Sequence, residues 1–133
     1  MSRPEKLEIL YVDDEPANLR SFKSAFRRLY KVHIAEHPTL AMEIVKERDL
    51  KIVVSDHRMP DLVGTDFLKE VHAYDDKIKR IILSGFVSKE ELLEANNSFG
   101  LHAYIPKPWD FEDVNATFER LLSEEESPKM NYE

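Results

Sequence analysis

The chain has 133 residues, 42% hydrophobic and 34% charged, with a formal net charge of -7 from 26 acidic and 19 basic residues. That is the size and balance of one globular domain, and it excludes a disordered chain; the acidity argues against non-specific binding to nucleic acid. The absence of cysteine excludes disulfides, thiolate catalysis and Cys-ligated metals, while no apolar run spans a bilayer and the start lacks a secretory leader, so a cytoplasmic location is expected.

Leu7 to Val12 (LEILYV) reads as a strand that ends in Asp13-Asp14-Glu15-Pro16, and Pro16 suits the first turn of a helix. Leu19, Phe22, Ala25, Phe26 and Leu29 follow at helical spacing, with Arg27-Arg28 read as a solvated helix end. Val32 to Ala35 is a second strand. His37-Pro38 opens a helix whose inner face is expected to carry Leu40, Ala41, Ile44 and Val45. Lys51 to Ser55 (KIVVS) is continuous with β-branched Ile52, Val53 and Val54 at its centre, as expected of a strand buried on both faces, and it stops at Asp56.

The loop HRMPDLVG leads to a helix with Phe67, Leu68 and Val71. Arg80 to Leu83 forms a fourth strand, ending at Ser84-Gly85. Ser88 and Glu91 have the spacing of a capping box, and Gly100 marks the turn after that helix. Ala103 to Ile105 is the fifth strand, ending at Pro106-Lys107-Pro108-Trp109. Asp110 caps a last helix through Phe111, Val114, Phe118, Leu121 and Leu122. Five strand–helix units imply an α/β fold, a parallel sheet with helices on both faces. Residues 1–123 are expected to form the domain, and 124–133, including Glu124-Glu125-Glu126, a polar C-terminal tail or the start of a linker.

Asp13, Asp14, Asp56, Ser84 and Lys107 each fall just past the carboxyl end of a strand, where open α/β sheets bind ligands. Singly, each has an ordinary explanation as a turn former, a cap or a solvated lysine. Together they suggest one site. Three clustered carboxylates repel one another unless a cation sits among them, and Mg²⁺ takes such oxygen ligands together with phosphate oxygens. Lys107 adds a fixed positive charge and Ser84 a hydroxyl donor; Asp56, at the end of the most apolar strand, is then the natural nucleophile of a phosphoryl transfer that needs little beyond positioning and charge neutralisation.

The segments ILYVDDEP, VVSDHRMPDLVG, IILSG and YIPKPW resemble the receiver domain of two-component response regulators, over about Leu7 to Leu122. The resemblance implies a doubly wound, flavodoxin-like (βα)5 sheet of order 2-1-3-4-5. It implies phosphorylation of Asp56 by a phosphohistidine of a sensor histidine kinase or histidine phosphotransfer protein. Asp14 and Asp56 would ligate Mg²⁺ (or Mn²⁺) directly, with Asp13 acting through water and the backbone carbonyl of Arg58 completing the protein ligands. Lys107 would meet the phosphoryl group, its bond to Pro108 being cis. Ser84 and Tyr104 would be the switch pair, with Gly85 leaving room for their motion. The output implied is a face of the fourth helix, fifth strand and fifth helix, read by homodimerisation, by another protein or by an effector domain on a longer chain, with no membrane partner.

Departures from the commonest pattern are Leu62-Val63 in the loop after Asp56, Pro106 before Lys107, and Arg58 and Phe86 at two variable positions that in the family tune phosphate lifetime. Gly64 is expected to keep the turn. His57 is read as a solvated loop residue, Phe22, Phe26, Phe67, Phe111 and Phe118 as core, and Trp109 as either a partner contact or packing against the last helix. Two other readings are weighed. A haloacid-dehalogenase-type phosphatase would place its nucleophile in an Asp-x-Asp motif after the first strand, where this chain has adjacent aspartates. A pseudo-receiver that only binds partners would not need every acidic, Ser and Lys position retained.

Overall fold

A computed structural model describes residues 5–123. The tail expected at residues 124–133, with Glu124-Glu125-Glu126, lies outside the described residues. The elements alternate: β1 (Glu8–Val12), α1 (Pro16–Phe26), β2 (Lys31–Ala35), α2 (Pro38–Glu47), β3 (Leu50–Ser55), α3 (Gly64–Tyr74), β4 (Lys79–Ser84), α4 (Lys89–Ser98), β5 (Ala103–Pro106) and α5 (Phe111–Ser123). All pairings are parallel and the sheet order is β2-β1-β3-β4-β5, as the resemblance implies. Among the described residues no helix is long and apolar enough to cross a membrane.

Alternation along the central strands sorts the core into two layers. Ile9, Tyr11, Ile52, Val54, Ile81 and Leu83 face α1 and α5, meeting Leu19, Phe22, Phe26, Val114, Phe118 and Leu121. Leu10, Val12, Val53 and Ile82 point the other way, onto Ala41 and Val45 of α2, Phe67, Leu68 and Val71 of α3, and Leu92 and Ala95 of α4. The first layer is rich in aromatic contacts: the Phe22 and Phe26 ring centroids are 4.7 Å apart, and Tyr11 stacks on Phe22 at 4.4 Å. Trp109 does pack, but its rings lie 5.7 Å from Phe26 and 6.0 Å from Phe22, so its partner is α1.

The helix ends follow their residues. Pro16 and Pro38 stand in the first turns of α1 and α2. Ser88 and Glu91 complete both halves of a capping box on α4. Gly100 takes φ 94° after α4, and its N–H returns to the carbonyl of Ala95. Three expected core positions turn outward. Leu29 and Leu40 are half-exposed, because α1 ends at Phe26 and because α2 directs Ala41 and Val45 inward instead. Phe111 is 37% exposed although it stacks on Phe26 at 5.0 Å. Arg27 and Arg28 are exposed, as expected of a solvated helix end.

At the edge of the sheet away from the strand C-termini, Arg80 is fully buried in β4. Its Nε donates to the carbonyl of Gly100 at 2.9 Å, Nη1 to Ile78 at 2.8 Å and Asp76 at 3.2 Å, and Nη2 to Phe99 at 3.5 Å. Burial lowers its pKa to about 10. Its own N–H donates to Nδ1 of buried His102 at 3.0 Å, so one residue ties the α4–β5 turn to the start of β4.

Candidate functional site

The parallel register brings β1, β3, β4 and β5 to one edge, and with them Asp13, Asp14, Asp56, Ser84 and Lys107. One carboxylate oxygen from each of Asp13, Asp14 and Asp56 lies within 4.8 Å of the others. Lys107 Nζ is 2.9 Å from Asp13 Oδ2 and 3.8 Å from Asp56 Oδ2. The Lys107–Pro108 peptide bond is cis, and Lys107 N–H donates to the Ser84 carbonyl at 3.0 Å.

The two adjacent aspartates differ sharply. Asp13 is fully buried and saturated: Oδ2 accepts from Tyr11 Oη at 2.5 Å, Lys107 Nζ at 2.9 Å and Asn18 Nδ2 at 3.1 Å, while Oδ1 accepts from Glu15 N–H at 3.0 Å. Burial pushes its pKa up, but the bonds from Tyr11, Glu15 and Lys107 outweigh this and hold the carboxylate below its usual range. The Tyr11 phenol is driven the other way, well above its ordinary value, by burial and then by donating to Asp13. Asp14 is exposed at the rim, yet partial desolvation and the like charges of Asp13 and Asp56 raise its pKa. A cation would relieve that repulsion. Asp14 is thus the carboxylate open to solvent and Asp13 the buried, fully engaged one.

Asp56 is 8% exposed, and its Oδ1 accepts from His57 N–H at 2.8 Å. Two contacts fix its backbone. Ser55 Oγ donates to the Asp56 carbonyl at 2.7 Å, and Gly64 packs directly against that carbonyl, where an added Cβ would sit 2.2 Å from the oxygen and 2.9 Å from His57 Cα. Gly64 is thus required by close approach rather than by a left-handed turn. By contrast, a Cβ at exposed Gly85 would meet nothing within 4 Å.

Ser84 is buried, and Tyr104 is half-buried with its hydroxyl donating to the Ser84 carbonyl at 3.4 Å. Arg58 is exposed on the loop after Asp56, its guanidinium 5.4 Å from the ring centroid of Phe86, which is itself exposed.

The structure corrects His57. Rather than a solvated loop residue it is 1% exposed, with Nε2 donating to Glu91 Oε2 at 2.7 Å and Nδ1 without a hydrogen-bond partner among the described residues. Tyr11 and Asn18 are also site residues that sequence reasoning passed over. The strand period offered a signal for Tyr11, which lies two residues before Asp13 and so on the same side; Asn18 and Glu91 carried none.

A doubly wound five-stranded α/β domain, with an acidic pocket and one lysine at the carboxyl edge of its strands, is the class that fold and site define. Residues 9–119 match the family model of the response regulator receiver domain. The chain belongs to that family, and it is the receiver domain of a two-component response regulator. Its curated relatives include the hydrogenase transcriptional regulatory protein HoxA of Cupriavidus necator, 31% identical over 76% of this chain and 21% of that protein. Another is the transcriptional regulatory protein ZraR of Escherichia coli, 32% identical over 90% of this chain and 27% of that protein. The chain therefore spans about a quarter of the length of these relatives. Among solved structures, a CheY-like receiver domain protein from Methanospirillum hungatei superposes with a TM-score of 0.82 at 28% identity, covering 88% of this chain and 94% of that one. A signal receiver domain of an HD domain-containing protein from Pseudomonas fluorescens gives 0.83 at 25% identity, covering 89% and 95%.

Proposed function

We propose that Asp56 accepts a phosphoryl group from a phosphohistidine of a sensor histidine kinase or histidine phosphotransfer protein in the cytoplasm, and that the domain catalyses only its own phosphorylation and dephosphorylation. The observation that carries this reading is the convergence of Asp13, Asp14 and Asp56 within 4.8 Å, with Lys107 Nζ 3.8 Å from Asp56. An Asp56 oxygen attacks phosphorus, the P–N bond breaks, and its electron pair remains with the donor imidazole. Lys107 would meet a phosphoryl oxygen as a point charge, and the Ser84 hydroxyl would donate to another.

The donor set suits a hard divalent cation. Asp14 and Asp56 would hold Mg²⁺ (or Mn²⁺) directly, Arg58 would offer its main-chain carbonyl, and Asp13, whose oxygens are already engaged, would act through water. Bound Mg²⁺ supplies neutralisation of the charge on the transferring group. The phosphorylated state then favours Ser84 and Tyr104 positions that remodel the face of α4, β5 and α5, read by a second copy, by another protein or by an effector domain on a longer chain. Likeness to transcriptional regulators supports the last of these.

The test is incubation with acetyl phosphate and Mg²⁺ followed by intact mass measurement. One hydroxylamine-labile phosphoryl adduct is expected, absent from Asp56→Asn and absent with EDTA. No adduct across a range of Mg²⁺ would support a partner-binding pseudo-receiver. Rapid turnover of many phosphate esters would support a phosphatase.

A further inference from the structure

We infer that His57 and Glu91 form a buried clasp that makes the start of α4 move with the Asp56 loop, so that this positioning pair carries the state of Asp56 to the helix. The inference rests on the phosphoacceptor reading above. The contacts run as a closed path between the two loops that flank the site. His57 N–H donates to Asp56 Oδ1 at 2.8 Å, and the His57 carbonyl accepts from Gly64 N–H at 2.8 Å, so the main chain of His57 is held by the site on one side and by α3 on the other. Its ring, 1% exposed, gives Nε2–H to Glu91 Oε2 at 2.7 Å.

Glu91 uses its two oxygens for different tasks. Oε1 accepts from Ser88 N–H at 3.1 Å, Ser88 Oγ accepts from Glu91 N–H at 3.1 Å, and this reciprocal pair is the cap that starts α4. The pKa of Glu91 is lowered to about 2, chiefly by the His57 bond and then by the Ser88 main chain. The cap would form without His57, because a capping box needs only Ser88 and Glu91. The second oxygen is therefore spent on joining α4 to the residue that follows Asp56.

A second contact spans the same two loops: the Arg58 guanidinium over Phe86, 5.4 Å from its centroid. That one is exposed at both ends and is weakened by solvent. The His57–Glu91 bond has a buried donor in surroundings that leave Nδ1 without a partner, so the ring has no alternative bond to fall back on. A displacement of the Asp56–His57 peptide is thus passed to Ser88, on the loop that follows Ser84 at the end of β4. Coupling of this kind is a free energy shared between two sites, and breaking the link reduces it.

Three variants separate the clasp from the cap and from folding. His57→Leu removes the donor and leaves an apolar side chain in an enclosed position. His57→Gln restores an N–H at the reach of Nε2. Glu91→Gln keeps an oxygen for Ser88 N–H, since glutamine serves in a capping box, but loses the second acceptor. Each 133-residue chain is treated with beryllofluoride and Mg²⁺, and hydrogen–deuterium exchange is followed across residues 89–98. Acetyl phosphate adducts are weighed in parallel.

The unsubstituted chain should change its α4 exchange on beryllofluoride addition. His57→Leu and Glu91→Gln should shrink that change by about threefold or more, and His57→Gln should recover most of it. A purely structural role would lower α4 protection equally with and without beryllofluoride, and that outcome overturns the inference. So does a full response in His57→Leu, or no response in an unsubstituted chain that does form the Asp56 adduct. No adduct in the unsubstituted chain overturns the phosphoacceptor reading itself, and the clasp's signalling role falls with it.

Discussion

Gly64→Ala tests how tightly the backbone around Asp56 is built. A Cβ at this position would lie 2.2 Å from the Asp56 carbonyl oxygen and 3.0 Å from its carbon, and both are main-chain atoms that no rotamer change can move aside. About 1 Å of separation has to be found, which must shift either β3 or the first turn of α3. Overpacking of this kind costs about 1–3 kcal/mol, and weakening the Gly64 N–H bond to the His57 carbonyl adds about 1. Alanine's better helix propensity returns at most about 1 kcal/mol. The net loss is about 1–3 kcal/mol, which at an m-value of about 2 kcal/mol/M lowers the urea midpoint by roughly 0.5–1.5 M. Gly85→Ala is the matched control: its Cβ meets nothing within 4 Å and its φ is not positive, so it should be neutral or stabilise by about 0.5 kcal/mol. Phosphoryl acceptance should fall with Gly64→Ala by about tenfold or more, because the displaced atoms belong to Asp56 itself. Equal midpoints for the two variants at unchanged m would refute the close-approach argument.

Burial holds the pKa of His102 down at about 3, against an ordinary value of 6.5. Between these values the unfolded chain binds a proton that the folded chain does not, so stability is full above the upper value and falls with acidification, by at most about 1.4 kcal/mol per pH unit. His102→Asn, which keeps an acceptor for Arg80 N–H, should flatten urea-measured stability between pH 6.5 and 4.5, above the range where the depressed Glu8 and Glu91 titrate. Arg80→Met should destabilise by about 3 kcal/mol in chemical denaturation by leaving buried carbonyls unpaired, and Arg80→Lys should recover little, because an ammonium cannot reproduce the planar fork. Asp14→Asn should raise the melting temperature in EDTA by relieving repulsion, yet remove the stabilisation that Mg²⁺ gives the parent chain, about 1.4 kcal/mol for each tenfold excess over Kd. A parent melting temperature that ignores Mg²⁺ would count against the metal reading.

Much of this molecule was legible from its residues. Strand ends were marked by Asp13, Asp56, Ser84 and Lys107, and helix starts by Pro16, Pro38 and Ser88, because those signals are local and chemical. The three carboxylates each followed a strand end, and the strand order that the family resemblance implies was needed to bring them together. What escaped depends on distance in the chain. The bond from His57 to Glu91 joins residues 34 apart, and polar residues in loops give no sign of burial. Leu40 and Phe111 were apolar at helical positions but sit on the margins of their stripes, where neighbours closer to the centre take the interior. Arg80 was hidden for the opposite reason: a charged residue at a strand start reads as a solvent-facing end, and only the fold of the α4–β5 turn supplies its carbonyls.

That guanidinium has a consequence for how the domain responds to ionic strength. The hydrogen bonds it makes end on main-chain carbonyls, dipoles that added salt screens little when buried. The opposite edge carries three carboxylates around one ammonium, an arrangement whose net repulsion relaxes as salt rises. Salt thus acts on the aspartate edge far more than on the Arg80 anchor. Monovalent ions loosen the grip of Lys107 and ease the crowding of the aspartates while the buried guanidinium of Arg80 keeps its carbonyls, so the two clusters answer the same ionic change differently.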